Sequence, residues 1–361
     1  MSASDRDRIR LVVLFGGQSA EHEVSLVTAR HVLAAANPDR YEIDPVAIQK
    51  DGRWIRADDA ARALSAGPDA LPEALPTTGT ETSPLPAVAA SPDERVVVLP
   101  LLHGPLGEDG TVQGLLELAD VPYVGCGVLA SALAMDKAKA KELFAGNGLP
   151  QGKWLSFHET DIRAASALAR VVDELRLPLF VKPANMGSSV GVSKANDGDE
   201  LRAAVQYAAE YDEWILVEEA IDGRELECAV LGNLEPRASL PGEIEPGADF
   251  YDYDDKYRDG RAKLLIPAPL PDSVTEELRD LACRAFTALR CEGMARVDFF
   301  YEEGGRGLLL NEVNTIPGFT PISMYPQMWK ATGLTYPELI DELIRLAIER
   351  YDRRSAKRRR S

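Results

Sequence analysis

With 361 residues the chain is long enough for two or three domains, and its 45% hydrophobic and 27% charged residues suit a folded globular enzyme. Its 58 acidic against 40 basic side chains leave a net charge of −18, which argues against a nucleic-acid partner, since phosphate-backbone binding needs a basic surface; the Lys357–Arg360 run reads as a solvated tail. No apolar run reaches the ~20 residues that cross a bilayer, Leu11–Phe15 is too short for a signal peptide, and Cys126, Cys228, Cys283 and Cys291 show neither CxxC nor zinc spacing, so a cytoplasmic protein with no membrane contact and reduced thiols is expected.

Leu11–Phe15 reads as a short buried strand closed by Gly16-Gly17, followed by a helix from about Ser19 to Ala36. The stretch from Asp58 to Arg95 is rich in Ala, Pro, Thr and Ser and reads as a surface insert with a short helix near Ala60–Leu64. Val96–Pro100 is a second buried strand, and alternating strands and helices predict an α/β first domain with a parallel sheet. One helix is expected over Met135–Gly146, strands at Leu179–Lys182 and Val192–Lys194, and a helix over Glu200–Tyr211. Strands follow at Ile215–Glu219 and Glu225–Leu231, then a loop-rich stretch over Pro241–Lys263 and a helix over Val274–Leu289. Met294–Tyr301 and Gly307–Val313 are strands joined by Glu302–Arg306. The last helix opens at Thr335, where Thr335-x-x-Glu338 has the form of a capping box, and Leu339, Ile340, Leu343, Ile344 and Ala347 form its core stripe.

Between two of these strands lies Lys182-Pro-Ala-Asn-Met-Gly-Ser-Ser-Val-Gly191, the strongest local signal. Small residues let backbone N–H groups approach an anion, serines add donors, and Lys182 places a point charge at the mouth of the loop. No Gly-Lys-Ser/Thr follows, so this is not a Walker loop, and it leads into a strand rather than a helix, which suggests a mobile lid; a plain hairpin turn is the competing reading. Gly125-x-Gly127-x-x-Ala130 imitates a dinucleotide fingerprint but lacks a βαβ unit with a spaced acid.

Arg296-Val-Asp298 and Glu312-Val-Asn314 each place two polar groups on one face of a strand. If the strands pair, Asp298, Glu312 and Asn314 converge as oxygen donors without His or Cys, which suits Mg²⁺ shared with ATP phosphates; a structural Arg–acid cluster is the alternative.

These motifs, together with Gly16-Gly-Gln-Ser-Ala-Glu-His-Glu-Val-Ser25, His103-Gly-Pro-Leu-Gly-Glu-Asp-Gly110, Met135-Asp-Lys137, Tyr251-Asp-Tyr-Asp-Asp-Lys-Tyr257 and Asn311-Glu-Val-Asn-Thr-Ile-Pro-Gly318, make the chain resemble the D-alanine–D-alanine ligase family of the ATP-grasp superfamily from Leu11 to about Tyr351. The resemblance implies an overall α+β, three-domain ATP-grasp fold: an N-terminal Rossmann-like parallel-sheet domain over 1–125, a central subdomain over 126–219 and a C-terminal subdomain over 220–361, with ATP between the last two. It assigns Lys137, Lys182 and Ser189 to the ATP phosphates, Glu218, Glu219, Ala220 and Ile221 to the adenine linker, Glu225 to the ribose and Lys256 to a further nucleotide contact. Asp298, Glu312 and Asn314 match the ligands of two Mg²⁺ or Mn²⁺ ions. Glu21 resembles the acid that fixes the first D-alanine's ammonium, with Ser188 and Tyr257 in its hydrogen-bonded triad and His103 nearby. Arg296 and the Gly318 N–H resemble an oxyanion site, and Ser323 and Met324 the holders of the second D-alanine carboxylate.

The implied reaction is ATP-dependent formation of D-alanyl-D-alanine through a D-alanyl phosphate, for peptidoglycan precursors, in a homodimer. A D-alanine–D-lactate or other ATP-grasp carboxylate–amine ligase is the alternative; in the family tyrosine at the position of Tyr257 goes with dipeptide formation and phenylalanine with depsipeptide formation. A nucleotide-binding regulator without turnover predicts a broken lysine or metal set, whereas every expected polar position is filled. Two departures stand out: Met186, where many relatives carry an acid, and the long Asp58–Arg95 insert.

Overall fold

The computed structural model describes residues 8–91, 94–245 and 263–358, and among these the strands form three sheets. The first is built from β1 (Ile9–Gly16), β2 (Tyr41–Ile48), β3 (Trp54–Arg56), β4 (Thr80–Thr82) and β5 (Val96–Pro100), in the order β4-β3-β2-β1-β5. β1 runs parallel to both β2 and β5, and Leu11–Phe15 is fully buried, as a central strand covered on both faces must be. Its alternate residues serve two cores. Leu11, Val13 and Phe15 pack toward α1 (His22–Ala35), and Val12 and Leu14 toward α3 (Pro84–Val88) and α4 (Thr111–Leu118).

The parallel sheet expected here is the inner part of a mixed one, because β3 and β4 pair antiparallel on its edge. β4 and α3 come from the Ala/Pro-rich insert, which is thus less superficial than its composition suggests. After α2 (Asp58–Ser65) it buries Leu71, Leu75, Ala87 and Val88. Arg10 ties it down, donating to Asp44 Oδ2 at 2.6 and 2.9 Å and to the carbonyls of Ala87 (2.9 Å) and Ala89 (3.1 Å).

The helix expected over Met135–Gly146 is α6 (Lys137–Gly146), and a helix that was not expected, α5 (Val128–Met135), precedes it. Asp136 takes an extended backbone between them and its carboxylate accepts from the Lys139 N–H at 3.0 Å, so a capping acid inside the run starts a new helix. The glycine decoy has a packing role: Gly125 lies against Gly293, where a Cβ would stand 3.1 Å from three Gly125 atoms.

β6 (Trp154–His158) leads into α7 (Glu159–Ile162) and α8 (Ala165–Leu175); β7 (Leu179–Pro183), β8 (Ser193–Ala195), α9 (Gly198–Ala208) and β9 (Trp214–Glu219) complete a second sheet, β6-β9-β7-β8, antiparallel throughout. One face presents Leu179, Val181, Ile215 and Val217 to α8 and α9; the other carries Phe180, Lys182, Leu216 and Glu218.

The third sheet contains β10 (Arg224–Gly232), β11 (Arg237–Ala238), β12 (Gly242–Glu245), β13 (Lys263–Leu265), β14 (Gly293–Glu302) and β15 (Gly307–Asn314), with α10 (Asp272–Ala288) following β13 and α11 (Met324–Ala331) and α12 (Tyr336–Arg358) following β15. Leu226, Cys228, Val230, Val297, Phe299 and Leu310 form its covered face against α10. A register shift between Asp298 and Phe299 pairs Asp298 with Glu312 but Phe299 with Leu310, so Asn311 is bulged out. Without that extra residue Leu310 and Glu312 would share a face; with it, the leucine enters the core and the carboxylate the opposite side.

Of the capping box expected at Thr335 the Glu338 arm is formed, the Thr335 N–H and hydroxyl both donating to the carboxylate at 2.9 and 2.5 Å, and α12 lays its apolar stripe on the first core. Near its end Arg350 is 3% exposed, donates to the carbonyls of Tyr123 (2.7 Å) and Gly125, and stacks over the Tyr123 ring at 4.3 Å. Arg350→Met should therefore lower stability by about 2–4 kcal/mol by orphaning two buried carbonyls, read as a lowered urea midpoint. A midpoint equal to wild type would remove this contact from the forces that hold α12 in place.

Candidate active site

An alternation of buried and half-buried charge runs from α6 to the third sheet. Lys141, 3% exposed, sets its ammonium 2.6 Å from Glu218 Oε1, and Lys182 pairs with Glu218 Oε2. Burial alone would raise the Glu218 pKa, but Lys141 and Lys182 outweigh it and hold the carboxyl at about 2. Burial would likewise strip Lys182 of its proton, yet Glu218 and then Glu312 more than offset it and keep the amine charged. Lys137, the first residue of α6, donates to the Met186 carbonyl at 2.6 Å and lies 3.8 Å from Glu312 Oε2. One ammonium thus joins the Gly/Ser loop to the acidic strand.

The loop itself is a series of tight turns. Lys137 N–H bonds the Ala184 carbonyl at 3.0 Å, Val190 N–H the Gly187 carbonyl at 3.1 Å, and Asn185 gives both its N–H (2.8 Å) and its side-chain amide (3.0 Å) to Asp212 Oδ2. Ser188 and Ser189 sit at φ 50° and 58°, a left-handed region that costs a non-glycine residue about 1–2 kcal/mol. Such strain persists only where surrounding contacts impose it, and it gathers at functional loops.

The two N-terminal motifs meet this loop. A Cβ on Gly187 would stand in van der Waals contact 3.5 Å from Glu21 Oε2 and 3.6 Å from Glu108 Oε1, which places the loop beside both carboxylates. Glu108 accepts from the Gly104 N–H at 2.7 Å, and burial, followed by the Glu21 charge, raises its pKa. His103 holds the Ile316 carbonyl through Nδ1 at 3.1 Å, while its buried Nε2 has no partner among the described residues.

On the third sheet Arg296 lies opposite Asn314, and Asp298 opposite Glu312 and Glu227. The Arg296 guanidinium grips Asp298 with two bonds of 2.7 and 2.8 Å and lies 3.1 Å from Glu227 Oε2. Burial would disfavour its charge, but Asp298 and Glu227 raise its pKa well above the usual value. Asn314 donates to Asp298 Oδ2 at 2.9 Å. Two carboxylates and an amide oxygen fit a hard divalent cation, and the surrounding lysines fit the anion such a cation accompanies.

Other expected residues lie around this centre. Glu219 caps the end of β9 through its side chain, accepting from the Lys153 N–H at 2.7 Å and pairing with Arg306 at 2.5 Å. The Ala220 N–H bonds the Pro178 carbonyl at 3.2 Å, and Ile221 packs near Gly152. Glu225 shares the face of Glu227. Ser323 precedes α11, its hydroxyl 2.7 Å from Thr320 Oγ1, and a Cβ on Gly318 would stand 3.3 Å from Ser323 Oγ. Met324 is buried, its methyl against Gly242. Lys256 and Tyr257, with the rest of 246–262, lie outside the described residues. Residue-by-residue reading overlooked Lys141, Glu108 and Glu227. The signals were present: Lys141 lies one helical turn after Lys137, Glu227 two residues after Glu225, and Glu108 inside a glycine-rich run.

The family model described as D-ala D-ala ligase N-terminus matches residues 10–126, and that described as D-ala D-ala ligase C-terminus matches residues 143–345. The chain is 46% identical over 366 residues to the D-alanine–D-alanine ligase of Acetivibrio thermocellus, covering 96% of this chain and 97% of the relative. Among solved structures, the D-alanine-D-alanine ligase from Coxiella burnetii superimposes with a TM-score of 0.81 at 38% identity, covering 98% of this chain and 97% of that one. The VanG D-Ala:D-Ser ligase from Enterococcus faecalis gives a TM-score of 0.81 at 37% identity, covering 94% and 99%. Matched over nearly its full length in sequence and in fold, the chain belongs to the D-alanine–D-alanine ligase family.

Proposed function

We propose that this chain joins two D-alanine molecules at the expense of ATP, through a D-alanyl phosphate, to supply a peptidoglycan precursor. The observation that carries this reading is the Lys137 ammonium, in contact with both the Gly/Ser loop and Glu312. It links a phosphate cradle to a cation-binding acid on one side chain.

In this reading Lys137, Lys182, Ser189 and the loop backbone hold the ATP phosphates, Glu218 to Ile221 flank the adenine, Glu225 takes the ribose and Lys256 adds a further contact. Two Mg²⁺ or Mn²⁺ ions held by Asp298, Glu312 and Asn314 would neutralise the polyphosphate. Glu21, with Glu108, Ser188, Tyr257 and His103, receives the first D-alanine, its ammonium toward the two carboxylates. A carboxylate oxygen attacks the γ-phosphorus and ADP leaves, giving an acyl phosphate that the closed loop shields from water. The second D-alanine is oriented at Ser323 and Met324, and its amine attacks the acyl carbon. Arg296, preset by Asp298 and Glu227, and the Gly318 N–H steady the tetrahedral oxyanion. Inorganic phosphate departs as the carbonyl re-forms, and the amine sheds its proton through the Ser188–Tyr257 pair.

A homodimer in the cytoplasm completes the proposal. Its support is membership of the family.

The direct test is phosphate release from ATP with D-alanine, L-alanine, D-lactate and D-serine, products separated chromatographically. The similarity to a D-Ala:D-Ser ligase makes D-serine a necessary comparison. D-Alanine alone should drive release with D-alanyl-D-alanine as product; release only when D-lactate or D-serine is present would reassign the acceptor.

A second test follows from Glu108, whose carboxyl is raised by burial and by Glu21. An incoming ammonium favours the ionised Glu108 carboxylate, so D-alanine binding just above the ordinary carboxylate range should release protons. Calorimetry in buffers of different ionisation enthalpy reads this directly. A binding heat independent of buffer would separate the ammonium site from Glu108.

A further inference from the structure

Lys141 has no part in the reaction so far described, yet it occupies a place a lysine does not take without a partner. Its side chain is 3% exposed inside α6, its carbonyl accepts from the Gln151 amide at 3.1 Å, and its ammonium is 2.6 Å from Glu218 Oε1. The other oxygen of Glu218 is taken by Lys182. Two cations therefore share one anion, and the trio carries one net positive charge.

That surplus has a consequence for Lys182. A carboxylate facing a single buried lysine makes a neutral pair, whose attraction for an incoming anion largely cancels at a distance. With Lys141 meeting half of Glu218, the positive charge of Lys182 is not cancelled. It lies on the strand face directed toward Glu312, whose charge also acts on it.

We propose that Lys141 is a positioning residue for nucleotide phosphate: it neutralises Glu218 so that Lys182 is held in place yet left electrostatically available to the polyphosphate. This rests on the reading of the cleft as the ATP site. Lys141 acts through charge, at second hand, and not through contact with the nucleotide.

Charge counting makes the proposal testable in a way that a packing role is not. Lys141→Met leaves Glu218 and Lys182 as a neutral pair. Adding Glu218→Gln to that variant restores the single net positive charge without restoring Lys141. Binding of ADP and of AMP to the full chain in excess magnesium, measured by calorimetry without D-alanine, gives the comparison. Lys141→Met should weaken ADP roughly tenfold and AMP much less, because the lost field acts on the outer phosphate. Lys141→Arg should bind ADP like wild type, and Lys141→Met/Glu218→Gln should restore most of the wild-type ratio of ADP to AMP affinity, in which any adenine contact of Glu218 cancels. If Lys141→Met is insoluble, Lys141→Gln carries the same comparison alone and with Glu218→Gln. A double variant whose ratio of ADP to AMP affinity is no higher than that of the single one, or ADP and AMP weakened alike by Lys141→Met, would overturn the proposal and leave Lys141 a structural residue. Wild type that fails to bind ADP at all would overturn the nucleotide site itself.

Discussion

Burying a charge is costly unless a partner stands within reach, and this molecule gathers a row of buried and half-buried charges between a helix and the inner faces of two sheets. Lys141, Glu218, Lys182, Glu312 and Lys137 follow one another with alternating sign. Each is supplied by an element whose opposite face is apolar. β7 and β9 give Val181 and Val217 to one core and Lys182 and Glu218 to the row, while β15 gives Leu310 to another core and Glu312 to the row. The charges are held by the same alternation that builds the hydrophobic layers. They cannot drift from one another without dismantling those layers.

The constraint reaches outward from the row. Lys137 can meet the Met186 carbonyl only because α6 begins where Asp136 interrupts the preceding helix. The loop that contains Met186 is fixed at its base by two hydrogen bonds from Asn185 to Asp212, and it carries two serines in a strained conformation. Gly187 then passes close to Glu21 and Glu108 from the first sheet, and His103 ties that sheet to Ile316 after β15. Three sheets thus contribute to one space, each through a short segment whose geometry is set by its neighbours.

Much of this was legible in the residues. Uninterrupted apolar runs such as Leu11–Phe15 and Val96–Pro100 marked the buried strands, and the spacing of Arg296, Asp298, Glu312 and Asn314 anticipated the paired strands with those residues opposite one another. Elements with mixed signals were hidden. In β2, Glu42, Asp44 and Pro45 obscure the strand, and in the insert a proline-rich composition hides β4 and the burial of Leu71 and Leu75. The bulge at Asn311 could not be read, since it depends on which residue of β14 faces which of β15. Side-chain partnerships were the least visible. The Glu218 carboxylate is engaged by Lys141 and Lys182 and the Glu219 carboxylate by Arg306, contacts between residues far apart in the chain.

The account stands or falls on whether this charged row is where nucleotide phosphate and metal meet. Anomalous diffraction at the manganese edge, from crystals grown with ADP and Mn²⁺, decides it most directly. The account predicts an anomalous peak within coordinating distance of Glu312, with the ADP phosphates beside Lys137 and Lys182. Bound ADP with manganese located away from Glu312, Asp298 and Asn314 would contradict it.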